Sequence, residues 1–95
     1  MSTNIVIIPT YNEKENVEAI IRKVMSLPIS FDVLIVDDNS PDGTANIVKQ
    51  LQLEFPNQVN LLQRMEKNGL GTAYIAGFKW CLERKYNFIF EMDAD

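Results

Sequence analysis

The chain has 95 residues, a net charge of −4 at pH 7, 46% hydrophobic and 23% charged residues, nine Lys/Arg, one cysteine and no histidine. That length makes one domain at most, burying roughly 60–65% of the surface its unfolded form exposes, and the composition is that of a folded chain rather than an acidic tail. The balance excludes a basic nucleic-acid-binding face, an intrachain disulfide, a multi-cysteine zinc site and any Ser-His-Asp or Cys-His catalysis within this chain.

A lone cysteine fits a reducing compartment. No apolar stretch approaches the ~20 residues of a membrane span, and the first residues lack a signal peptide's basic and long apolar regions. The expected localisation is cytoplasmic.

In chain order, Ile5–Ile8 is the first apolar, β-branched run, and Pro9 is expected to close it. Val17, Ile20, Ile21, Val24 and Met25 then lie at helical spacing on one face. Asn12 and Glu15 have the spacing of a capping box for that helix, and Leu27-Pro28 stops it. Val33–Val36 is the second strand. Ser40-Pro41 reads as N-cap and first residue of a second helix, whose buried face is Ile47, Val48, Leu51 and Phe55 and whose stop is Pro56. Val59–Leu62 is the third strand. A third helix runs from about Leu70 to Arg84, with Ala73, Tyr74, Gly77, Trp80 and Cys81 on one side. Gly77 costs ~1 kcal/mol of helix propensity against alanine, so it is expected to mark a close approach to the sheet. Phe88–Phe90 is the fourth strand.

None of the four runs alternates with polar residues, which predicts strands buried on both faces. Strand and helix alternate throughout. With right-handed crossovers, this order makes an α/β fold with a doubly wound, mainly parallel sheet. Ligands bind such sheets outside the carboxyl ends of the strands. That rule selects Pro9–Glu13, Asp37–Gly43, Arg64–Gly71 and Asp93–Asp95.

Each stretch carries chemistry and has a plainer alternative. In PTYNE, Tyr11 beside Glu13 suits a nucleobase and ribose; the alternative is a helix start with a dipole-favoured glutamate. In VDDNSPDGT, adjacent Asp37 and Asp38 point in different directions, so one is placed to tie down the loop and the other to face a ligand; the alternative is a turn built from turn-formers. In KNGLGTAY, Gly69 and Gly71 precede a helix as in a phosphate cradle, with Arg64 and Lys67 near a pyrophosphate; the alternative is solvated charge. Tyr74 stands where a third glycine would complete G-x-G-x-x-G, so a dinucleotide fingerprint is poorly supported. Asp93 and Asp95, two apart, share a face if the strand continues, and hard oxygen ligands suit Mg²⁺ or Mn²⁺. The alternative there is a frayed end.

Together, PTYNE, DDNSPDGT, KNGLGTAY and MDAD resemble the N-terminal part of the family 2 glycosyltransferases, over essentially the whole chain. SPDGT and GLGTAY are most similar to the dolichol-phosphate (polyprenol-phosphate) mannose synthases. The resemblance implies the N-terminal, nucleotide-binding half of a GT-A fold over residues 1–95, ending at a DXD element. By position it implies that Pro9, Tyr11 and Glu13 contact the nucleoside and that Val36 and Asp38 line the base pocket. Lys67 would shape the floor near the sugar or phosphates. Asp93, Ala94 and Asp95 would form the DXD element, with Asp93 and Asp95 on Mg²⁺ or Mn²⁺ and Asp95 in the catalytic role.

The implied reaction is inverting transfer of mannose from GDP-mannose to a polyprenyl phosphate at the cytoplasmic face of a membrane. Family members continue well past DAD, so these residues alone are expected to be inactive. The fourth strand's free edge is expected to pair with a second copy. Other readings are a family 2 enzyme using a UDP-sugar, a non-catalytic nucleotide-binding module, or a phosphoryl-transfer receiver suggested by VLIVDD. In the last, PTYNE would have no task.

Overall fold

The computed structural model describes residues 3–65 and 69–94. Four strands alternate with three helices: β1 (Asn4–Thr10), α1 (Val17–Met25), β2 (Asp32–Asp37), α2 (Thr44–Glu54), β3 (Val59–Gln63), α3 (Leu70–Glu83) and β4 (Phe88–Glu91). All pairings are parallel, in the order β3-β2-β1-β4. The chain winds outward from β1 to β3, then crosses back to place β4 on the other side of β1. The predicted doubly wound parallel sheet is the observed one.

The two-residue period of a strand sorts the core. Val6, Ile8, Val33, Ile35 and Val59 face one side, against Val17, Ile21 and Val24 of α1 and Val48 and Leu51 of α2. Ile5, Ile7, Leu34 and Val36 face the other, against Ala73 and Cys81 of α3 and Tyr86. Each fully buried aliphatic side chain contributes ~1.5–3 kcal/mol by leaving water. Gly77 does mark a close approach: a Cβ there would lie 2.8 Å from Ile7 Cγ2 and 3.2 Å from Val36 Cγ2.

Burial on both faces holds for β2 and for Ile5–Ile8 of β1 but fails at the sheet's margins, where β3 is only partly buried and Phe88 and Phe90 of β4 are exposed. Phe90 lies beside Val6 on the α1 face, where it meets Phe31 edge-on at 5.4 Å. An edge strand has one neighbour fewer to cover it.

The helix starts also differ from expectation. Asn12 does not cap α1; it adopts a left-handed φ of 55°, and the helix begins at Val17 after a turn in which the Glu13 carbonyl accepts from Asn16 and Val17 N–H. Ser40-Pro41 does not start α2. That helix begins at Thr44, behind Gly43 at a φ of 94°, a conformation that favours glycine. Gly43 is the N-cap, and Asp42, one residue before it, accepts the Thr44 N–H on its Oδ1 at 3.0 Å. Nor does Pro9 end β1, which continues to Thr10. Because the Ile7 carbonyl turns toward β4, Pro9 would turn its missing N–H the same way, beyond the last β4 pairing at Glu91.

Candidate functional site

At the carboxyl ends of β1, β2 and β4, an open cavity of about 340 Å³ lies where the strand order reverses. It is lined by Pro9, Thr10, Tyr11, Glu13, Asp38, Gly69, Leu70, Ala73, Asp93 and Ala94. Its position follows from topology: on either side of β1 the connections leave in opposite directions, so a crevice opens between the loops.

Asp37 and Asp38 divide their work as their alternation predicts. Asp37 is fully buried and ties down the loop. Its Oδ1 accepts from Thr10 Oγ1 at 2.7 Å and Ser40 Oγ at 2.6 Å, and its Oδ2 from Ser40 N–H at 3.0 Å. Asp38 turns to the cavity, where Arg64 grips it with two hydrogen bonds, Nε to Oδ1 at 2.6 Å and Nη2 to Oδ2 at 2.9 Å. The paired carboxylate raises the guanidinium's pKa, so Arg64 is permanently charged. Arg64 is therefore not solvated charge, and its fork is occupied rather than free for a pyrophosphate. Its Nη2 also donates to Thr72 Oγ1, which donates to the Gly69 carbonyl, so one guanidinium joins the cavity floor to the glycine loop.

Opposite, Asp93 Oδ1 accepts a hydrogen bond from the Tyr74 hydroxyl at 3.2 Å. Burial and the neighbouring Asp93 push the Tyr74 phenol up to about 12, so it stays protonated and donates throughout the neutral range. The side chain that broke the glycine pattern thus meets the aspartate of the last strand end. Tyr74 is a site residue that pattern reading placed in the helix core. Its signal was indirect: a tyrosine one turn into a helix that starts at the strand ends.

Pro9, Tyr11, Glu13, Asp38, Asp93 and Ala94 come together as predicted. Val36 does not reach the cavity; it is fully buried under α3, because alternation along β2 turns it to that face of the sheet. Lys67 and Asp95 lie outside the described residues. Glu13 is not a first-turn helix residue, since α1 starts four positions later. Most of SPDGT is bracing, because Ser40, Asp42 and Thr44 hydrogen-bond to the loop after β1 and do not line the cavity.

Among the described residues, no group of three or more acidic, cysteine or histidine side chains could hold a metal ion. Asp93 offers a hard oxygen donor at the cavity, and the Tyr74 hydroxyl donates to it. That suits a cation bound through one or two carboxylates and completed by substrate phosphates.

Comparison with known proteins decides the family. Residues 5–95 match the model of glycosyl transferase family 2. The chain belongs to that family.

It is 48% identical over 91 residues to a polyprenol monophosphomannose synthase of Mycolicibacterium smegmatis, covering 96% of this chain and 34% of the relative. It is 49% identical over 89 residues to an undecaprenyl-phosphate mannosyltransferase of Micrococcus luteus, covering 94% of this chain and 36% of the relative. The chain thus spans about a third of the length of the curated relatives it matches. Among solved structures, the mannosyltransferase PcManGT of Pyrobaculum calidifontis, in complex with GDP-Man and Mn²⁺, superposes with a TM-score of 0.73 at 25% identity, covering 82% of this chain and 24% of that one. S. aureus TarS in complex with UDP superposes over all of this chain and 28% of its own, with a TM-score of 0.82 at 24% identity, a likeness of fold. The family 2 glycosyltransferase fold is the GT-A type that the sequence implied.

Proposed function

We propose that the cavity binds the nucleotide of a sugar donor, GDP-mannose first. In the complete protein, these residues form the donor half of an enzyme that transfers mannose with inversion to a polyprenyl phosphate. The observation that carries the reading is the convergence of Tyr11, Glu13, Asp38 and Asp93 on one cavity at the reversal of strand order. Tyr11 is exposed there and offers a face for a base. Asp38, clamped by Arg64, and Glu13 offer acceptors for ring N–H and ribose hydroxyl groups. The sugar and acceptor follow the names of the relatives.

Asp93, with Asp95, would hold Mg²⁺ or Mn²⁺ against the diphosphate. When bound, the ion neutralises charge growing on the leaving nucleoside diphosphate. The chain's contribution is orientation: Tyr74 aims Asp93, and Arg64 aims Asp38. An acceptor phosphate is already anionic at neutral pH, so attack needs little general-base help. A chain without histidine meets that requirement.

The chain alone is expected to bind donor without turning it over. The complete enzyme is proposed to work in the cytoplasm, at the cytoplasmic face of a membrane. No described helix is long and apolar enough to cross one.

Titration of the chain with GDP-mannose and UDP-glucose, each with Mn²⁺ and with chelator, followed by amide-resolved NMR, tests the reading. Shifts at Tyr11, Asp38 and Asp93 that need metal and are stronger for the guanosine donor are expected. Stronger shifts with UDP-glucose would reassign the donor. Dispersed spectra without shifts for either donor would overturn the reading of the cavity as a nucleotide site.

A further inference from the structure

Tyr11 and Glu13 are exposed or half-exposed, and their loop contains a left-handed asparagine. What holds it is the next loop. Three successive backbone N–H groups are captured by three side chains: Asn12 N–H by Ser40 Oγ at 2.9 Å, Glu13 N–H by Thr44 Oγ1 at 3.1 Å, and Lys14 N–H by Asp42 Oδ2 at 3.1 Å.

The polarity of this latch is forced. The Ser40 hydroxyl gives its one proton to Asp37 Oδ1 at 2.6 Å, and the Thr44 hydroxyl gives its own to Asp42 Oδ1 at 2.5 Å. Each hydroxyl then has only lone pairs left to offer the loop. Charge-assisted hydrogen bonds to carboxylates are the stronger kind, so the donors do not readily turn round. A run of backbone N–H groups is elsewhere a nest for phosphate. Here the run is already satisfied, so the loop presents side chains to a ligand rather than its backbone.

We infer that Ser40, Asp42 and Thr44 are positioning residues for the donor site: they touch no ligand but set the places of Tyr11 and Glu13, and so the affinity for a nucleoside diphosphate. The inference rests on the reading of the cavity as a nucleotide site. Thr44 is fully buried, so Thr44→Val keeps its shape and removes the acceptor. Loss of one such hydrogen bond corresponds to about a three- to tenfold effect.

The test uses the 95-residue chain, GDP with Mn²⁺ as the probe, and amide exchange as a second readout. Thr44→Val is expected to speed exchange at Glu13 and to weaken GDP binding by about three- to tenfold, while Thr44→Ser restores both. Ser40→Ala, at a half-exposed position, repeats the test at Asn12, and Thr44→Val controls for the hydrogen bond to buried Asp37 that Ser40→Ala also removes. Unchanged GDP affinity in both variants, with wild-type binding intact, overturns the inference alone. A wild-type chain that binds neither GDP nor GDP-mannose overturns the nucleotide reading, and the inference falls with it.

Discussion

Arg64 and Asp38 show how a residue's role depends on its partner. Their side chains are only 16% and 7% exposed. A carboxylate this far from water needs its countercharge, and removing one member of such a pair costs about 3–5 kcal/mol when burial is complete. Arg64→Ala is therefore expected to destabilise the chain by about 2–4 kcal/mol in urea unfolding and to weaken GDP binding, because Asp38 loses its orientation. Arg64→Lys is expected to restore little of either, since a point charge cannot reproduce the two-pronged grip. A lysine variant matching wild type in both measurements would show that charge alone suffices. From the sequence, Arg64 read as a basic residue near a glycine loop. Nothing in its neighbours disclosed a partner twenty-six positions upstream.

At the scale of elements, α3 reaches the sheet through one absent methyl group. Gly77→Ala would gain ~1 kcal/mol in helix propensity. The new Cβ would sit 2.8 Å from Ile7 Cγ2 and 3.2 Å from Val36 Cγ2, both inside a close-packed core. Overpacking of this kind costs ~1–3 kcal/mol, so the variant is expected to be less stable by up to about 2 kcal/mol in chemical denaturation. A more stable variant would mean that α3 can rise off the sheet freely. The glycine's purpose was legible because it defied helix propensity inside an otherwise periodic segment. The capping assignments were not, because SPDGT and PTYNE hold the same residue types whether their hydrogen bonds close locally or reach across to one another. They reach across.

For the whole molecule, the sheet ends on β4, whose outer edge has no strand neighbour among the described residues. Phe88 is 60% exposed and Phe90 47%. Such an edge is a template for another strand. Self-association that rises with concentration is expected in sedimentation or light scattering, and Phe88→Lys is expected to reduce it. A monomer throughout a concentration series would show that the edge is blunted by its own twist or by Glu91.

Order and type of every element, the parallel sheet and most of the cavity's lining were decided by local pattern. Apolar β-branched runs, helical periodicity and Gly/Pro punctuation are short-range signals, and topology rules then send the strand ends to one side. Tertiary structure alone decided which polar groups meet. It paired Asp38 with Arg64 and Asp93 with Tyr74, turned Val36 into the core, and made Ser40, Asp42 and Thr44 hold the loop after β1. Those outcomes depend on the register between strands and on the depth at which α3 docks, and neither is encoded within any one segment.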